Sequence, residues 1–265
     1  MREQDELLAI AVEAVQRASK LVRIREPGVL TSKGDRDMAS EVDLAVEEEI
    51  RTYLAERTPE IGFLGEEGGR SSRGTDDLLW VLDPIDGTVN FVHGLPLVAV
   101  SLALLAGETA TVGAIELPLL GKSYTAIAGS GAMRDGEAIA GSRCEDMEDA
   151  LVAIGDYAVG PDADSRNKPR LALTELLARR VQRIRLFGTA VTDLAWAAEG
   201  SVDAVVLFGN NPWDTAAGAL IAREAGMAVV DLDGSTHTVN SRGVIAVAEP
   251  LLPSLLALVR EAMTR

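Results

Sequence analysis

An apolar run that stops against two acids and a glycine constrains this chain more than anything else in it: Trp80-Val81-Leu82-Asp83-Pro84-Ile85-Asp86-Gly87-Thr88-Val89-Asn90-Phe91. Residues 78–82 predict a buried strand. The strand is predicted to end at Asp83-Pro84, because Pro84 has no N–H to give to a ladder. Asp83 and Asp86 stand three residues apart, and Gly87 allows a close backbone approach that a side chain would obstruct. A strand end bearing two carboxylates, then a glycine turn with free N–H groups, can hold a cation and an anion side by side, as metal-dependent phosphate chemistry requires. The plainer reading is a turn, since Asp-Pro and Asp-Gly pairs are common turn signals. Two acids at this spacing do not by themselves decide between the two.

Upstream, Leu8, Ala11, Val15, Ala18 and Val22 recur at helical spacing and predict an amphipathic helix over 5–25, ended by Pro27-Gly28. Residues 31–39 read as a polar loop. Ser40 is a good N-cap for a second helix, with Val42, Val46, Ile50 and Leu54 as its apolar stripe and Pro59 beyond its end. Residues 61–64 predict a short strand that delivers Glu66 and Glu67, and 68–77 read as a Gly/Ser/Arg-rich loop. Downstream, 97–105 and 109–116 predict a strand pair turning at Gly107-Glu108, continued by a strand over 123–128. Turns follow at Gly129-Ser130-Gly131 and Asp135-Gly136. Strands and helices then alternate: strand 151–154, helix 170–180, strand 183–187, helix 189–199 closed by Gly200, strand 204–207, helix 215–225 closed by Gly226, strands 229–232 and 244–247, and helix 251–263. Such alternation argues an α/β lobe. The chain therefore divides near residue 140 into an α+β lobe (1–140) and an α/β lobe (141–265). No Pro/Gly/Ser linker separates them, which predicts one compact body.

At 265 residues and 47% apolar, the chain can bury a large core. A net charge of −16 argues against a surface that tracks nucleic-acid phosphates or an anionic membrane. The single cysteine, Cys144, excludes an internal disulfide and fits a reducing cytoplasm. The polar, acidic start of the chain reads as no secretory signal, and the longest apolar run, 97–106, is too short to span a bilayer. His93 and His237 lack ligand spacing for zinc. No Gly-x-x-x-x-Gly-Lys supports a P-loop nucleoside triphosphatase.

The central stretch resembles the Asp-Pro-Ile-Asp-Gly-Thr signature of the inositol monophosphatase family. Pro212-Trp213-Asp214-Thr215-Ala216-Ala217-Gly218 resembles that family's Trp-Asp-x-Ala-Ala-Gly, and Gly65-Glu66-Glu67 its Gly-Glu-Glu. All three occur in the family's order, and the resemblance runs over nearly the whole chain. It implies the layered α-β-α-β-α sandwich of the sugar-phosphatases and a magnesium-dependent phosphomonoesterase with two or three Mg2+ per site. It implies Glu66, Asp83, Asp86 and Asp214 as metal ligands, with the Ile85 carbonyl as a further one, and Glu66 with Thr88 orienting the attacking water. Asp86, Gly87 and Thr88 are expected to bind the phosphate. Gly188-Thr189-Ala190 resembles a Gly-Thr-Ala that touches the substrate ring. Ser40-Glu41-Val42-Asp43 resembles a Thr-x-x-Asp whose acid lies beside the metals, which makes Asp43 a candidate catalytic residue. Each has a plainer role open to it. Asp214 could cap the helix starting at Thr215, Asp43 could complete a capping box with Ser40, and Thr88 and Thr189 could cap the turns they open. Glu66 and Glu67 could form a solvated acidic tip. Two like charges about 4 Å apart cost roughly 4 kcal/mol at an effective dielectric near 20, so converging acids make sense only around cations.

Three departures from the family pattern bear on substrate. Leu207 stands seven residues before Asp214, where a Glu that binds ring hydroxyls is frequent. Val89 replaces a frequent second threonine, and Gly129-Ser130-Gly131-Ala132-Met133-Arg134-Asp135-Gly136 replaces Gly-x-Gly-Ala-Phe-x-Asn-Gly. The expected substrate is inositol 1-phosphate or a similar small polyol phosphate. A histidinol-phosphate or nucleotide phosphatase of the same fold is the alternative, and a non-catalytic regulatory homologue is a further one. The expected partner is a small phosphorylated metabolite, without nucleic acid or membrane. A cytoplasmic homodimer is expected, and the resemblance implies lithium sensitivity.

Overall fold

Alternate residues of one long strand point into two different cores. That strand is Thr75–Asp86, in a computed structural model that describes residues 2–34, 37–71 and 75–265. The elements run α1 (Arg2–Ile24), β1 (Leu30–Gly34), β2 (Asp37–Ser40), α2 (Glu41–Arg57), β3 (Ile61–Gly65), β4 (Gly69–Arg70), β5 (Thr75–Asp86), α3 (Thr88–Val92), β6 (Ala99–Ala106), β7 (Thr109–Leu117), β8 (Lys122–Ile127), β9 (Ala132–Arg134), β10 (Glu137–Ile139), β11 (Leu151–Ile154), α4 (Ala163–Ala178), β12 (Arg183–Arg185), α5 (Ala190–Ala198), β13 (Ala204–Phe208), α6 (Pro212–Glu224), β14 (Ala228–Val230), β15 (Gly243–Val247) and α7 (Leu252–Thr264).

Eight strands form one sheet in the order β10-β9-β8-β7-β6-β5-β3-β4, and five form another in the order β12-β11-β13-β15-β14. Because side chains alternate across a strand, each sheet feeds two cores. Trp80 and Leu82 of β5, with Val100, Leu102 and Leu104 of β6, pack under α1 and α2. Val81, Ala103, Leu105 and Ile115 face the other way, onto α5 and α6. The same helices cover Ala153, Val205, Leu207 and Ala246 of the second sheet. Val152, Ile154, Val206, Ile245 and Val247 on its far face pack against Leu173 and Leu177 of α4 and Leu255 and Val259 of α7. The result is the expected α-β-α-β-α layering, with α5 and α6 sandwiched between the sheets.

Local sequence explains most elements, and the exceptions have physical causes. The expected loop over 31–39 is instead strand at 31–34 and 37–39, where β1 and β2 pair antiparallel; residues 35 and 36 lie outside the described ones. β9 and β10 pair across Asp135-Gly136, so that turn signal marked a hairpin too short to show periodicity. In the 68–77 segment, β4 pairs with β3 and β5 begins at Thr75; residues 72–74 lie outside the described ones. α4 begins at Ala163 and runs through Pro169 rather than starting after it, giving up the one bond that residue would have donated. The second sheet is mixed. β12, β11 and β13 are parallel, but β15 runs antiparallel to both β13 and β14, because β14 and β15 are joined without a crossover helix. Among the described residues no helix is long and apolar enough to cross a membrane.

One buried carboxylate fastens the middle helical layer to the first sheet. Glu199, just past α5, accepts hydrogen bonds from Lys122 Nζ (3.0 Å), Arg134 Nη1 (2.9 Å), Tyr124 Oη (2.9 Å) and Ser201 Oγ (2.7 Å). Burial alone would raise its carboxyl, but the bonds from Arg134, Ser201, Lys122 and Tyr124 outweigh it and hold the group at about 2. A carboxyl whose folded pKa lies below its ordinary 4.5 adds stability above that value, and loses it as pH falls from about 4.5 towards about 2. Lys122 and Arg134 are about a third exposed, so screening reduces the effect to about 1–2 kcal/mol. Glu199→Gln is therefore expected to lower unfolding stability near neutral pH by about that amount. In urea titrations the gap to the parent should close as pH falls through that window; a gap that stays constant would contradict the account.

Candidate active site

The site begins where β5 stops pairing regularly. Its ladder with β6 runs to Asp83↔Ser101 and resumes at Asp86↔Ala99, one extra residue on β5. Pairing with β3 has already ended at Leu82↔Gly65. The strand thus continues past Pro84, contrary to the expected stop, because Pro84 falls in a bulge where no N–H is required. Ile85 inserts into the core under α1 and α2, and Asp83 is only 2% exposed. Gly87 has φ 87°, and a Cβ there would stand 2.9 Å from the Leu97 carbonyl oxygen, so both conformation and space demand glycine. α3 follows, with Thr88 Oγ1 2.9 Å from Asp43 Oδ1 and 3.0 Å from the Ile85 carbonyl oxygen.

Asp43 completes the expected capping box and also touches Thr88 of the central motif. Its Oδ2 accepts from the Ser40 N–H at 2.9 Å and from the Ser40 hydroxyl, closing the capping box of α2, while Oδ1 accepts from Thr88. One turn on, Glu47 is 2% exposed and accepts from the N–H groups of Glu67 and Gly68, both at 2.8 Å, and from the Arg51 guanidinium. A Cβ on Gly65 would stand 2.4 Å from the Glu47 carboxyl carbon. Glu47 thus fixes the loop carrying Glu66, whose N–H donates to Leu82 O at 3.2 Å. No sequence motif singles out Glu47; its spacing of four from Asp43, which puts both on one helix face, is the one local signal for it.

Two more helix starts complete the site. Thr189 caps α5 through Thr192 N–H, and its hydroxyl also donates to Asp86 Oδ2, which takes the Val191 N–H at 2.8 Å. Asn90 Nδ2 donates to Leu97 O at 2.9 Å and Phe187 O at 2.8 Å, tying the central motif to the residue before Gly188. Asp214 does not precede its helix as expected. α6 starts at Pro212 with Asn211 as cap, and Asp214 Oδ2 reaches back to the Asn211 N–H at 2.7 Å. Asp193 of α5, likewise singled out by no sequence motif, is buried with Oδ1 unpartnered; burial, then the charges of Asp86 and Asp156, push its carboxyl well above the usual range.

Electrostatics joins these groups. Burial, then the charges of Glu66, Asp86 and Asp214, push the Asp83 carboxyl well above the usual range. Burial likewise raises Asp86, to about 6, against opposing hydrogen bonds from Thr189 and Val191. Among the described residues no three Asp, Glu, His or Cys side chains stand at ligating distance of one point. Asp83 Oδ1 is buried without a partner. A buried, unpaired carboxyl oxygen amid three further acids, with only oxygen donors nearby, fits a hard cation such as magnesium. Asp86 and Asp214 open onto a cavity of about 520 Å3, also lined by Gly188, Thr189, Ala190 and Leu207. Cys144 and both histidines lie outside that lining.

A family model described as "Inositol monophosphatase family" matches residues 3–264. The chain is 34% identical to inositol monophosphatase 1 of Solanum lycopersicum over 91% of this chain and 90% of that protein. It is 33% identical to a fructose-1,6-bisphosphatase/inositol-1-monophosphatase of Thermotoga maritima, over 90% of each. The crystal structure of the extragenic suppressor protein suhB from Bartonella henselae superposes with a TM-score of 0.91 at 30% identity, over 97% of this chain and 99% of that one. These relationships define an enzyme of the phosphoric monoester hydrolase class. Within that class the chain belongs to the inositol monophosphatase family, which is generally metal-dependent.

Removing Glu47 should loosen one wall of the site selectively. Glu47→Ala leaves two backbone donors and the Arg51 guanidinium without their acceptor, at a cost of about 1–3 kcal/mol in unfolding stability. Hydrogen exchange at the Glu67 and Gly68 amides should rise far more than at β6 amides. Equal protection at 67–68 in parent and variant would show that Glu47 does not hold the loop.

Proposed function

We propose that this chain is a magnesium-dependent phosphomonoesterase that hydrolyses inositol 1-phosphate or a similar small polyol phosphate by direct attack of water. The observation that carries the reading is Asp83, buried with one orphaned oxygen among Glu66, Asp86 and Asp214 beside an open cavity. Glu66, Asp83, the Ile85 carbonyl, Asp86 and Asp214 would hold the magnesium ions, which when bound neutralise phosphoryl charge and acidify water. The N–H groups of Gly87 and Thr88 open α3, where first-turn donors have no intrahelical partner, and they bind the phosphate oxygens. Thr88 has one hydroxyl proton, and Asp43 and the Ile85 carbonyl are both acceptors for it. The lone pairs of Thr88 are then left to accept from a water, which Thr88 and Glu66 orient towards phosphorus. Asp43, fixed by the α2 cap, sets the Thr88 rotamer. Gly188, Thr189 and Ala190 line the cavity that takes the alcohol portion. Relatives named as inositol monophosphatases support the substrate class.

The cavity wall bears on which alcohol is accepted. Leu207 is 1% exposed, packs in the middle core, and also lines the cavity against Gly155. It offers no acceptor to ring hydroxyls. Asn210 lines the same cavity with its Nδ2 buried and unpartnered, a donor available to a hydroxyl oxygen there.

Asp86→Asn should lower magnesium-dependent phosphate release from inositol 1-phosphate about a hundredfold or more, equivalent to about 2.7 kcal/mol, with the fold retained by circular dichroism. Turnover within a few-fold of the parent would overturn the assignment. Leu207→Glu should raise kcat/KM for inositol 1-phosphate about tenfold relative to an aryl phosphate, about 1.4 kcal/mol, while lowering the melting temperature. Lost stability without that selective gain would leave Leu207 as core alone and give the ring contact to Asn210.

A further inference from the structure

Two arginines of α4 face the same cavity as Asp86 and Asp214, and nothing so far uses them. Arg170 is 7% exposed. A guanidinium carries five N–H donors and a fixed positive charge. Arg170 gives Nη1 to the Arg166 carbonyl oxygen at 2.5 Å and Nη2 to the Phe208 carbonyl oxygen at 2.7 Å. Its Nε is buried with no partner. Both acceptors are neutral, and among the described residues neither Arg170 nor Arg166 has a carboxylate within ion-pair distance. A buried cation without a counter-charge is expensive to maintain. Burial and the nearby Arg166 charge also depress the Arg170 pKa, in that order.

The two guanidiniums converge. Arg170 Nη2 lies 3.4 Å, and Arg166 Nη2 3.9 Å, from the point where a Cβ on Gly209 would stand, so both sit over one spot of the cavity rim. The mount is stiff. Arg170 stacks on Phe208, 5.0 Å from the ring centroid. Asn167 clamps Ala158 through its N–H (2.7 Å) and carbonyl (2.9 Å), and Tyr157 pairs with Thr174 at 2.9 Å, so the 157–158 stretch is pinned to α4. Asp156 also lines the cavity, and burial raises its carboxyl. A fixed guanidinium with a second, exposed one beside it suits a planar or tetrahedral oxyanion, which Arg binds through paired N–H donors.

We propose that Arg166 and Arg170 form a second anion subsite of this cavity, so that the preferred substrate carries an anionic group, phosphate or carboxylate, besides the phosphate that is cleaved. The proposal rests on the phosphatase reading above. It selects polyol or sugar bisphosphates and phosphorylated hydroxy acids over neutral-ring monophosphates.

The test is steady-state phosphate release from two matched pairs, with parent, Arg166→Ala and Arg166→Lys enzymes in magnesium. The pairs are fructose 1,6-bisphosphate with fructose 1-phosphate, and 2-phosphoglycerate with glycerol 2-phosphate. The parent should favour the doubly anionic member of at least one pair, and the pair concerned names the anion. Arg166→Ala should cut kcat/KM for that member about tenfold or more, mainly through KM, while changing its singly anionic mate less than about twofold. Arg166→Lys should recover part of the loss. Arg166 is exposed, so its variants should melt with the parent; Arg170→Gln, read beside its melting curve, should show the same selectivity. Equal parental rates within both pairs, or equal losses on both members in Arg166→Ala, would overturn the subsite and leave the phosphatase reading standing. No release from any of the four would remove the phosphatase reading, and the subsite with it.

Discussion

A carboxyl group buried at the end of a central strand is the constraint around which the rest of this molecule is arranged. Asp83 sits 2% exposed on β5 with one oxygen unpartnered and three more acids within electrostatic reach. Such a group is costly in an apolar core, so its position has to be enforced. The enforcement is apolar. Val81 and Leu82, immediately before it, are locked into opposite cores by both helical layers, and Ile85, two residues on, enters the outer one. Between these anchors the bulge at Pro84 has little freedom to swing Asp83 towards water.

The neighbouring acids are held by a different device. Asp43, Asp86 and Asp214 each bond to the start of a helix: Asp43 to the Ser40 cap of α2, Asp86 to the first turn of α5, Asp214 to the Asn211 cap of α6. Helix N-termini offer unpaired N–H groups and a positive dipole end, which favour anions. These bonds fix each carboxylate through backbone N–H groups. Asp43 shows the division most clearly, with one oxygen on its cap and the other on Thr88. Asking whether such an acid is a cap or a site residue poses a false choice, because the cap is what aims it.

Class and substrate reside in different parts of the fold. The acids that define the family lie at strand ends and helix starts, where backbone geometry dictates residue type. The cavity walls come from β13, the 155–161 segment and α4, where a leucine, an asparagine or an arginine fits the same backbone. Leu207 and Arg170 line that cavity from elements that carry neither Asp83 nor the three acids around it.

The sequence by itself determined the class of the protein and most of its elements. The Asp83–Thr88 stretch, Gly65-Glu66 and Trp213-Asp214 are contiguous patterns, and the periodicity of α1, α2, β6, β7 and α7 is local. What it could not determine were features set by partners distant in the chain. Pro84 looked like a strand end because a bulge is defined by the opposite strand, here Ser101 and Ala99. Glu47 carries no local signal beyond its spacing from Asp43, because its acceptor role depends on N–H groups twenty residues away. Arg170 looked like the first residue of a helix, and only the folded chain shows it buried against Phe208 and facing the cavity. Tertiary structure decided these because burial and hydrogen-bond partnership belong to pairs of residues, whereas sequence displays residues one at a time.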